Sequence, residues 1–456
     1  MDHTPKVLTD IVKNNLCIGC GLCVYKCPSN ALKMNWNDYG FLEPVQIGVC
    51  DHYGDCINVC PFNINPVNEI KTENEIARIF LDPGSHYHAK IGYYFGIYAG
   101  FSNEFRLSSS SGGLATYISQ QLLEKNVVKH IISVKESSEE GLHYEYAVVS
   151  SPAEVLNATK TKYYPVTLSQ VLSEIDELEG NVAIVGVGCF IKAIRLAQYY
   201  EPSLKEKVSF LIGIICGGIK SSFFTEYLGE KAGVKKGNIS KPQFRVKDIR
   251  SKAFDYSFSC YDLEKEERKT LKMRTVGDMW GTGLFKGNAC DFCDDVTTEL
   301  ADISLGDAWL YPFYEDGRGT NVIVTRSKVA EELIHEGIKN NQLQINHLTL
   351  DDFLASQQGS FNHRHLALSY RIEHAKKQNK HVPPKRHVNE KISFHFKMVQ
   401  RMRMKLRERS LVLWRENYNA EGFDFKMHKY LFALQRLTYI NHFFKRLNSA
   451  FQKLFT

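Results

Sequence analysis

Seven of the twelve cysteines in this 456-residue chain lie between Cys17 and Cys60, and their spacing restricts the fold more than any other feature. The first run is Cys17-x2-Cys20-x2-Cys23-x3-Cys27-Pro28. Thiolates are soft ligands suited to iron–sulfur centres. Three of them, two residues apart, curl a short loop around one cluster, and the fourth ligand then arrives from far along the chain. Zinc also uses Cys-x2-Cys pairs, but spacings of two, two and three before a proline fit iron–sulfur better. Disulfides need an oxidising compartment. The opening residues, MDHTPKVLTDIVKNN, lack the apolar stretch of a secretory signal, so the expected location is cytoplasmic.

The run resembles bacterial two-cluster ferredoxins, in which the last cysteine of each run serves the other cluster. Carried over, Cys17, Cys20, Cys23 and Cys60 hold cluster one, and Cys27, Cys50 and Cys56 hold cluster two. The second run reads Cys50-x5-Cys56-x3-Cys60-Pro61, so Tyr53 stands where a fourth thiolate belongs. A phenolate is costly at neutral pH. The expectation is one [4Fe-4S] and one [3Fe-4S] cluster. Two four-iron clusters come second, with Asp51, His52 or Asp55 as substitute ligand, and loss of the second cluster comes third.

The length allows two or three domains. Residues 1–70 read as the ferredoxin module, and 71–90 as a linker or docking segment around Asp82-Pro83-Gly84. The body runs to about residue 350, divided near 175, and is read as an α/β mixed sheet. Its strands are expected at Tyr93–Tyr98, Val127–Val134, Val182–Val187, Val208–Cys216 and Asn321–Thr325. Its helices are expected at Leu114–Glu124, Leu168–Leu178, Ile191–Tyr199, Ser222–Leu228 and Lys328–Gly337. The longest apolar runs are too short to span a bilayer.

Several body motifs occur in a specific order: Tyr93–Ala99, Ser109-Ser-Ser-Gly-Gly-Leu114, Lys162-Tyr-Tyr164 and Gly186-Val-Gly-Cys189. They continue with Ile214-Ile-Cys216-Gly-Gly, Phe244–Lys247, Cys290-Asp-Phe-Cys293 and Ala301–Trp309. Together they resemble the coenzyme F420 hydrogenase/dehydrogenase beta-subunit family over roughly residues 1–350. The resemblance implies a body cluster on Cys189, Cys216, Cys290 and Cys293, with FAD beside it and F420 as an alternative hydride partner. Related chains with a fused ferredoxin are found among genes for surface polysaccharide synthesis. The segment Ser109, Ser110, Ser111, Gly112, Gly113 precedes a helix, where serine caps and backbone N–H groups attract phosphate. With Lys162 and Arg195 it forms the expected cofactor-binding set. Gly186-x-Gly188 imitates a dinucleotide fingerprint, but Ile191 is too bulky for its third glycine. Two positions depart from the family: Gly186-Val-Gly188 replaces Gly-Thr-Pro, and Gly217 replaces a common histidine. Cys260 reads as a small buried hydrophobe. Asp302 and Asp307 flank a short strand as structural or cluster-positioning groups.

The net charge of +6 hides an asymmetry. Residues 371–456 carry 20 Lys/Arg against 6 Asp/Glu, leaving 37 against 45 elsewhere. The body is therefore acidic, and no nucleic-acid partner is expected. The basic tail reads as a linker over 371–390 followed by helices near Lys391–Trp414 and Phe425–Leu447. These would pack on the body or a partner subunit, or lie on an anionic membrane at its inner face. The leading functional expectation is an iron–sulfur flavoprotein oxidoreductase, passing electrons between a ferredoxin-like or other redox protein and a small-molecule substrate through FAD. An F420-dependent oxidoreductase and a non-catalytic electron-transfer subunit are its rivals.

Overall fold

The computed structural model describes residues 4–82, 86–417 and 419–455, with side chains as far as residue 448. Met1–His3, at the start of the segment judged against a signal peptide, lie outside these residues. So do Pro83 and Gly84 of the expected linker centre.

The N-terminal module repeats one device. Gly21 (φ 82°) and Gly54 (φ 83°) are left-handed, and each starts a one-turn helix, Leu22–Tyr25 and Asp55–Asn58. Glycine takes that conformation without Cβ strain. Strands β1 (Leu32–Trp36) and β2 (Leu42–Gln46) pair antiparallel between the two helices. The module lies directly on the body: a Cβ on Gly21 would stand 2.2 Å from Thr167 Oγ1. The Leu168 amide donates to the Cys20 carbonyl at 2.9 Å.

The segment 71–90 contains helix α1 (Glu73–Phe80), whose first turn is closed by a Thr72–Glu75 capping box. Ile76 and Ala77 are buried in the core that module and body share, so this segment docks rather than links. A short hairpin, β3 (His86–His88) and β4 (Gly92–Tyr94), follows.

The body strands are β5 (Gly96–Ser102), β6 (His130–Glu136), β7 (Tyr144–Val149), β8 (Val182–Val187) and β9 (Val208–Ile214). A separate antiparallel sheet contains β10 (Ile239–Val246), β11 (Ser257–Asp262) and β12 (Glu267–Lys272). The main sheet is completed by β13 (Ile303–Asp307), β14 (Asn321–Thr325) and β15 (Leu343–His347). Its order is β15-β5-β14-β13-β9-β8-β6-β7. The central strands β6, β8, β9 and β13 run parallel. Antiparallel strands flank them on both sides, which makes the sheet mixed. The central strands are covered on both faces and therefore read as continuous apolar runs. Helices α2 (Leu114–Glu124), α3 (Gly188–Tyr200), α4 (Ser222–Lys231) and α5 (Lys328–Lys339) accompany the sheet. The expected helix Leu168–Leu178 is broken into Ser169–Ser173 and a 3-10 turn at Ile175–Glu177.

The tail departs most from expectation. Helix α6 (Leu368–Lys377) occupies the start of the stretch read as a linker. That stretch is polar because its charges are buried against the body, not because it is solvated. Arg371 donates to the Asp291 carbonyl at 2.6 Å, Lys385 pairs with Asp294, and Arg386 pairs with Glu299. Helices α7 (Phe394–Asn417) and α8 (Ala420–Phe455) then form a hairpin, and His395 stacks on Phe444 across it. Trp414 is fully buried among Tyr227, Phe285 and Phe423, and its Nε1 donates to Glu226 at 2.8 Å. The hairpin therefore packs on the body through its base. No helix among the described residues is long and apolar enough to cross a membrane.

Trp414→Ala removes this anchor and leaves Glu226 short of a donor. The expected loss is about 3–5 kcal/mol of folding stability, read by denaturant unfolding of the iron-loaded chain. An unchanged midpoint would show that the hairpin is an appendage.

Candidate iron–sulfur and cofactor site

Strands β8 and β9 end side by side, with Val187 opposite Ile214 in parallel register. Cys189 and Cys216 each follow two residues later, at the carboxyl edge where open α/β sheets place their sites. A bridge between Lys220 and Lys286 brings in the turn Asn288–Phe292, which carries Cys290 and leads to Cys293. The amides of Gly218 and Ile219 donate to the sulfurs of Cys216 and Cys290, both at 3.2 Å. All four thiols have raised pKa values. Burial is the first cause in each, and neighbouring thiols of the set add to it.

The N-terminal thiols behave alike. Burial pushes Cys17 up to about 12 and Cys20 to about 11. Cys23 and Cys60 rise well above the usual thiol range, by burial first and then by the charges of the same set. Cys27 and Cys50 stand close enough to Cys56 to raise it, after burial. The Gly19 amide donates to Cys17 Sγ at 3.4 Å, and the Ala31 amide to Cys27 Sγ at 3.3 Å. Buried, mutually repelling thiols that accept backbone N–H bonds suit iron–sulfur ligation, where metal removes the protons and hydrogen bonds to sulfur tune the centre. Among the described residues no three His, Cys, Asp or Glu side chains converge on one ion-sized point. Cluster ligands stand further apart than that, because they surround several irons. The cysteines present therefore fit clusters.

Tyr53 precedes Gly54 as Cys20 precedes Gly21, so it holds the place of the missing ligand. Its side chain is 73% exposed. Cys50, on the same loop, accepts from the His52 amide at 3.4 Å. Cys260 is fully buried in β11, away from the other cysteines.

A cavity of about 880 Å³ separates module from body. Cys17 and Gly19 line it on the module side, and Cys216 and Cys290 on the body side. Ser109, Ser110, Ser111, Gly113 and Lys162 line it as well. Contrary to expectation, the serines do not cap α2. Gly113 (φ 85°) is the N-cap, and the hydroxyls bond elsewhere: Ser110 accepts from the Thr161 amide at 2.9 Å, and Ser111 donates to the Thr320 carbonyl at 3.1 Å. Gly112 presses its backbone on Gly100, where a Cβ would meet the carbonyl oxygen at 2.6 Å. Lys162 donates to the carbonyls of Ala158 and Thr159, both at 2.6 Å, and burial brings it down to about 7. Arg195 is not brought to this cavity. It is buried on α3, bonded to Asp302, Gln198 and the Leu300 carbonyl.

Sequence reasoning missed four cavity or cluster residues. Arg245 pairs with Asp307 at 2.6 Å in the wall, while its Nε has no hydrogen-bond partner. Lys220 donates to the carbonyls of Met279 and Leu284, and burial lowers it to about 7. Trp280 explains one family departure: a Cβ on Gly217 would stand 2.9 Å from its ring. The indole packs edge-on to Tyr163 at 4.6 Å. Arg364, beyond all the motifs, donates from Nη1 to Cys293 Sγ at 3.7 Å and to the Asp295 carbonyl at 2.6 Å, and from Nη2 to the Cys216 carbonyl. The other departure, Gly188, also has a steric reason, since a Cβ there would meet Asp295 Oδ2 at 2.4 Å.

Fold and site together define an iron–sulfur oxidoreductase with a ligand cavity wedged between a ferredoxin-like module and a mixed-sheet body. The chain belongs to the coenzyme F420 hydrogenase/dehydrogenase beta-subunit family. Residues 97–173 match the N-terminal model of that family's beta subunit, residues 179–350 match its C-terminal model, and residues 16–64 match the 4Fe-4S dicluster domain. It is similar to the F-type subunit of the F(420)H(2) dehydrogenase of Methanosarcina mazei, 22% identical over 318 residues, covering 67% of this chain and 80% of that one. It is similar to the coenzyme F420-dependent sulfite reductase of Methanocaldococcus jannaschii, 23% identical over 363 residues, covering 74% of this chain and about half of that protein, 49%. The beta chain of the coenzyme F420 hydrogenase of Methanococcus voltae is 30% identical over 207 residues, covering 41% of this chain and 65% of that one.

Gly217→His is expected to displace the Trp280 indole from its seat. The check is tryptophan emission and acrylamide quenching against a Gly217→His/Trp280→Phe control. A red shift and at least a doubling of quenching in the single variant, relative to its control, are expected.

Proposed function

We propose that this chain is an F420-dependent iron–sulfur oxidoreductase, exchanging a hydride with a deazaflavin in the cavity and single electrons with its clusters. The carrying observation is that cavity, with Cys17 on one wall and Cys216 and Cys290 on the other. The names of the three relatives, each of which refers to F420, support the reading. A flavin such as FAD, when bound, converts hydride pairs into single electrons. The same cavity is its proposed seat, because hydride and one-electron chemistry must meet beside the clusters.

In this reading, Cys17, Cys20, Cys23 and Cys60 hold one four-iron cluster, and Cys189, Cys216, Cys290 and Cys293 hold another. Cys27, Cys50 and Cys56 hold a three-iron cluster, because Tyr53 faces solvent. Arg245 presents its free Nε to an anionic or carbonyl group of the ligand. Trp280 and Tyr163 supply flat apolar walls for a ring system. Lys162, held near 7, takes up a proton as phosphate approaches. Backbone N–H groups and Arg364 stabilise the added negative charge when the body cluster is reduced.

Anaerobic iron, sulfide and flavin quantitation, EPR before and after reduction, and F420 reduction assays test this. Three clusters, an oxidised three-iron signal and F420 turnover are expected. Clusters without F420 binding or turnover would overturn the F420 reading. Within the loaded protein, Arg364→Gln is expected to lower the body cluster's reduction potential. Each 1.4 kcal/mol of lost charge stabilisation corresponds to about 59 mV in a one-electron couple. An EPR-monitored redox titration measures it.

A further inference from the structure

The hairpin's second helix, α8, has an inner and an outer face of different chemistry. Phe423, Met427 and Leu434 are buried on the inner face. The outer face shows Phe425 (85% exposed), Phe432, Tyr439 (74% exposed) and Phe443. These positions recur at spacings of seven, seven and four, so they form one stripe on a helix. The stripe is about 27 Å long at 1.5 Å per residue. Lys429 and Arg436 fall within it, and Arg436 lies over the Phe432 ring at 5.1 Å. From Phe425 to the last residue the sequence contains six Lys/Arg and no Asp or Glu. From His442 to Asn448 every side chain is exposed. Soluble surfaces rarely leave aligned aromatics uncovered.

We infer that the outer face of α8 docks this protein on an anionic lipid surface. Aromatic rings interleaved with cations suit the headgroup boundary, where rings enter the interface and cations meet lipid phosphates. A second copy of the chain is a poor occupant. Self-pairing of one face sets its cations against each other, with no acidic side chain after Asp424 to separate them. The helix cannot cross the bilayer, so the docking is peripheral. The ion-paired base of the hairpin holds the stripe outward: Asp424 accepts from Tyr227 at 2.9 Å and from Lys231 at 2.7 Å, and Trp414 is fully buried. Neither the clusters nor F420 enters this inference.

Flotation of the full iron-loaded chain with vesicles tests it. Phosphatidylcholine alone is compared with a mixture containing phosphatidylglycerol, at low and raised salt. Two variants are run: Phe425→Ser/Phe432→Ser/Tyr439→Ser/Phe443→Ser, and Lys429→Gln/Arg436→Gln. Unchanged visible absorbance and thermal unfolding establish that each is folded, which their exposure favours. Binding to anionic vesicles alone, weakened by salt, is expected. The aromatic variant should lose at least tenfold in partitioning. The charge variant should lose on the order of 25-fold, since each cation near an anionic surface contributes roughly fivefold. Equal binding to both vesicle types, or binding that neither variant weakens, overturns the inference. So does sedimentation showing a dimer that the aromatic variant dissolves, or an acidic protein that co-purifies through the same face.

Discussion

Five carboxylates, Glu73, Asp291, Asp294, Asp295 and Glu299, are buried around the Cys290–Cys293 loop, and their neutralisation holds the molecule together. A buried ion left without its partner costs several kcal/mol, more than most apolar contacts supply. The partners come from every part of the chain. Lys192 on α3 meets Glu73 on α1 at 3.1 Å. Arg386 meets Glu299 at 2.6 Å, Lys385 meets Asp294 at 3.2 Å, and Arg407 meets Asp291 at 2.8 Å. Asp291 and Asp294 consequently sit far below the usual carboxylate range, although burial alone would raise them. Glu299 is less fully compensated, and burial leaves it raised to about 7. The net charges of body and tail, opposite in sign, are thus two halves of one buried network.

That network determines where the cavity lies. It closes the outer side of the Cys290–Cys293 turn, and Arg364 closes the side facing Cys216. The remaining open side faces the module. There Gly21 lets the module's backbone approach the body within contact distance, so Cys17 reaches the opposite wall of the same space. Electron transfer between module and body needs such proximity. The charge of Cys20 is felt at Cys189, which places cluster-one ligands beside the body set. One cavity bordered by both thiol sets is therefore a consequence of glycine at one position and of ion pairing behind another.

Legibility follows the kind of signal each residue carries. Helix Leu114–Glu124 and strands Val182–Val187 and Asn321–Thr325 are readable to the residue, because strong apolar runs are bounded by glycine or polar turns. Strands β7 and β15 are not. Each lies at a sheet edge, with half its residues facing water, and Tyr-Glu-Tyr or Gln-Ile-Asn alternates too briefly to stand out. The cysteines announce themselves through spacing. Arg364 does not, since a single arginine in a polar helical stretch carries no period and its partners are backbone carbonyls and a distant sulfur. The stretch 371–390 reads as a linker for a related reason: buried paired charges and solvated ones have the same composition. Arg195 misleads because a cation near a glycine motif suggests phosphate, whereas Asp302 already claims it.

Gly217 shows how a departure from a family pattern differs from a defect. A histidine there would reach toward Cys216 and offer a proton. With glycine, the vacated volume is filled by Trp280, which also covers the buried Lys220 ammonium at 4.6 Å from its ring centroid. The exchange makes the wall beside Cys216 apolar and flat, and it moves the nearest titratable cation behind an indole. Lys220, already lowered to about 7 by burial, then carries a proton only a few ångströms from the cavity but screened from it. Proton delivery at this wall would pass through motion of Trp280 rather than through a fixed donor. A ligand that stacks on the indole would hold that gate, so ring binding and proton supply are coupled through one side chain.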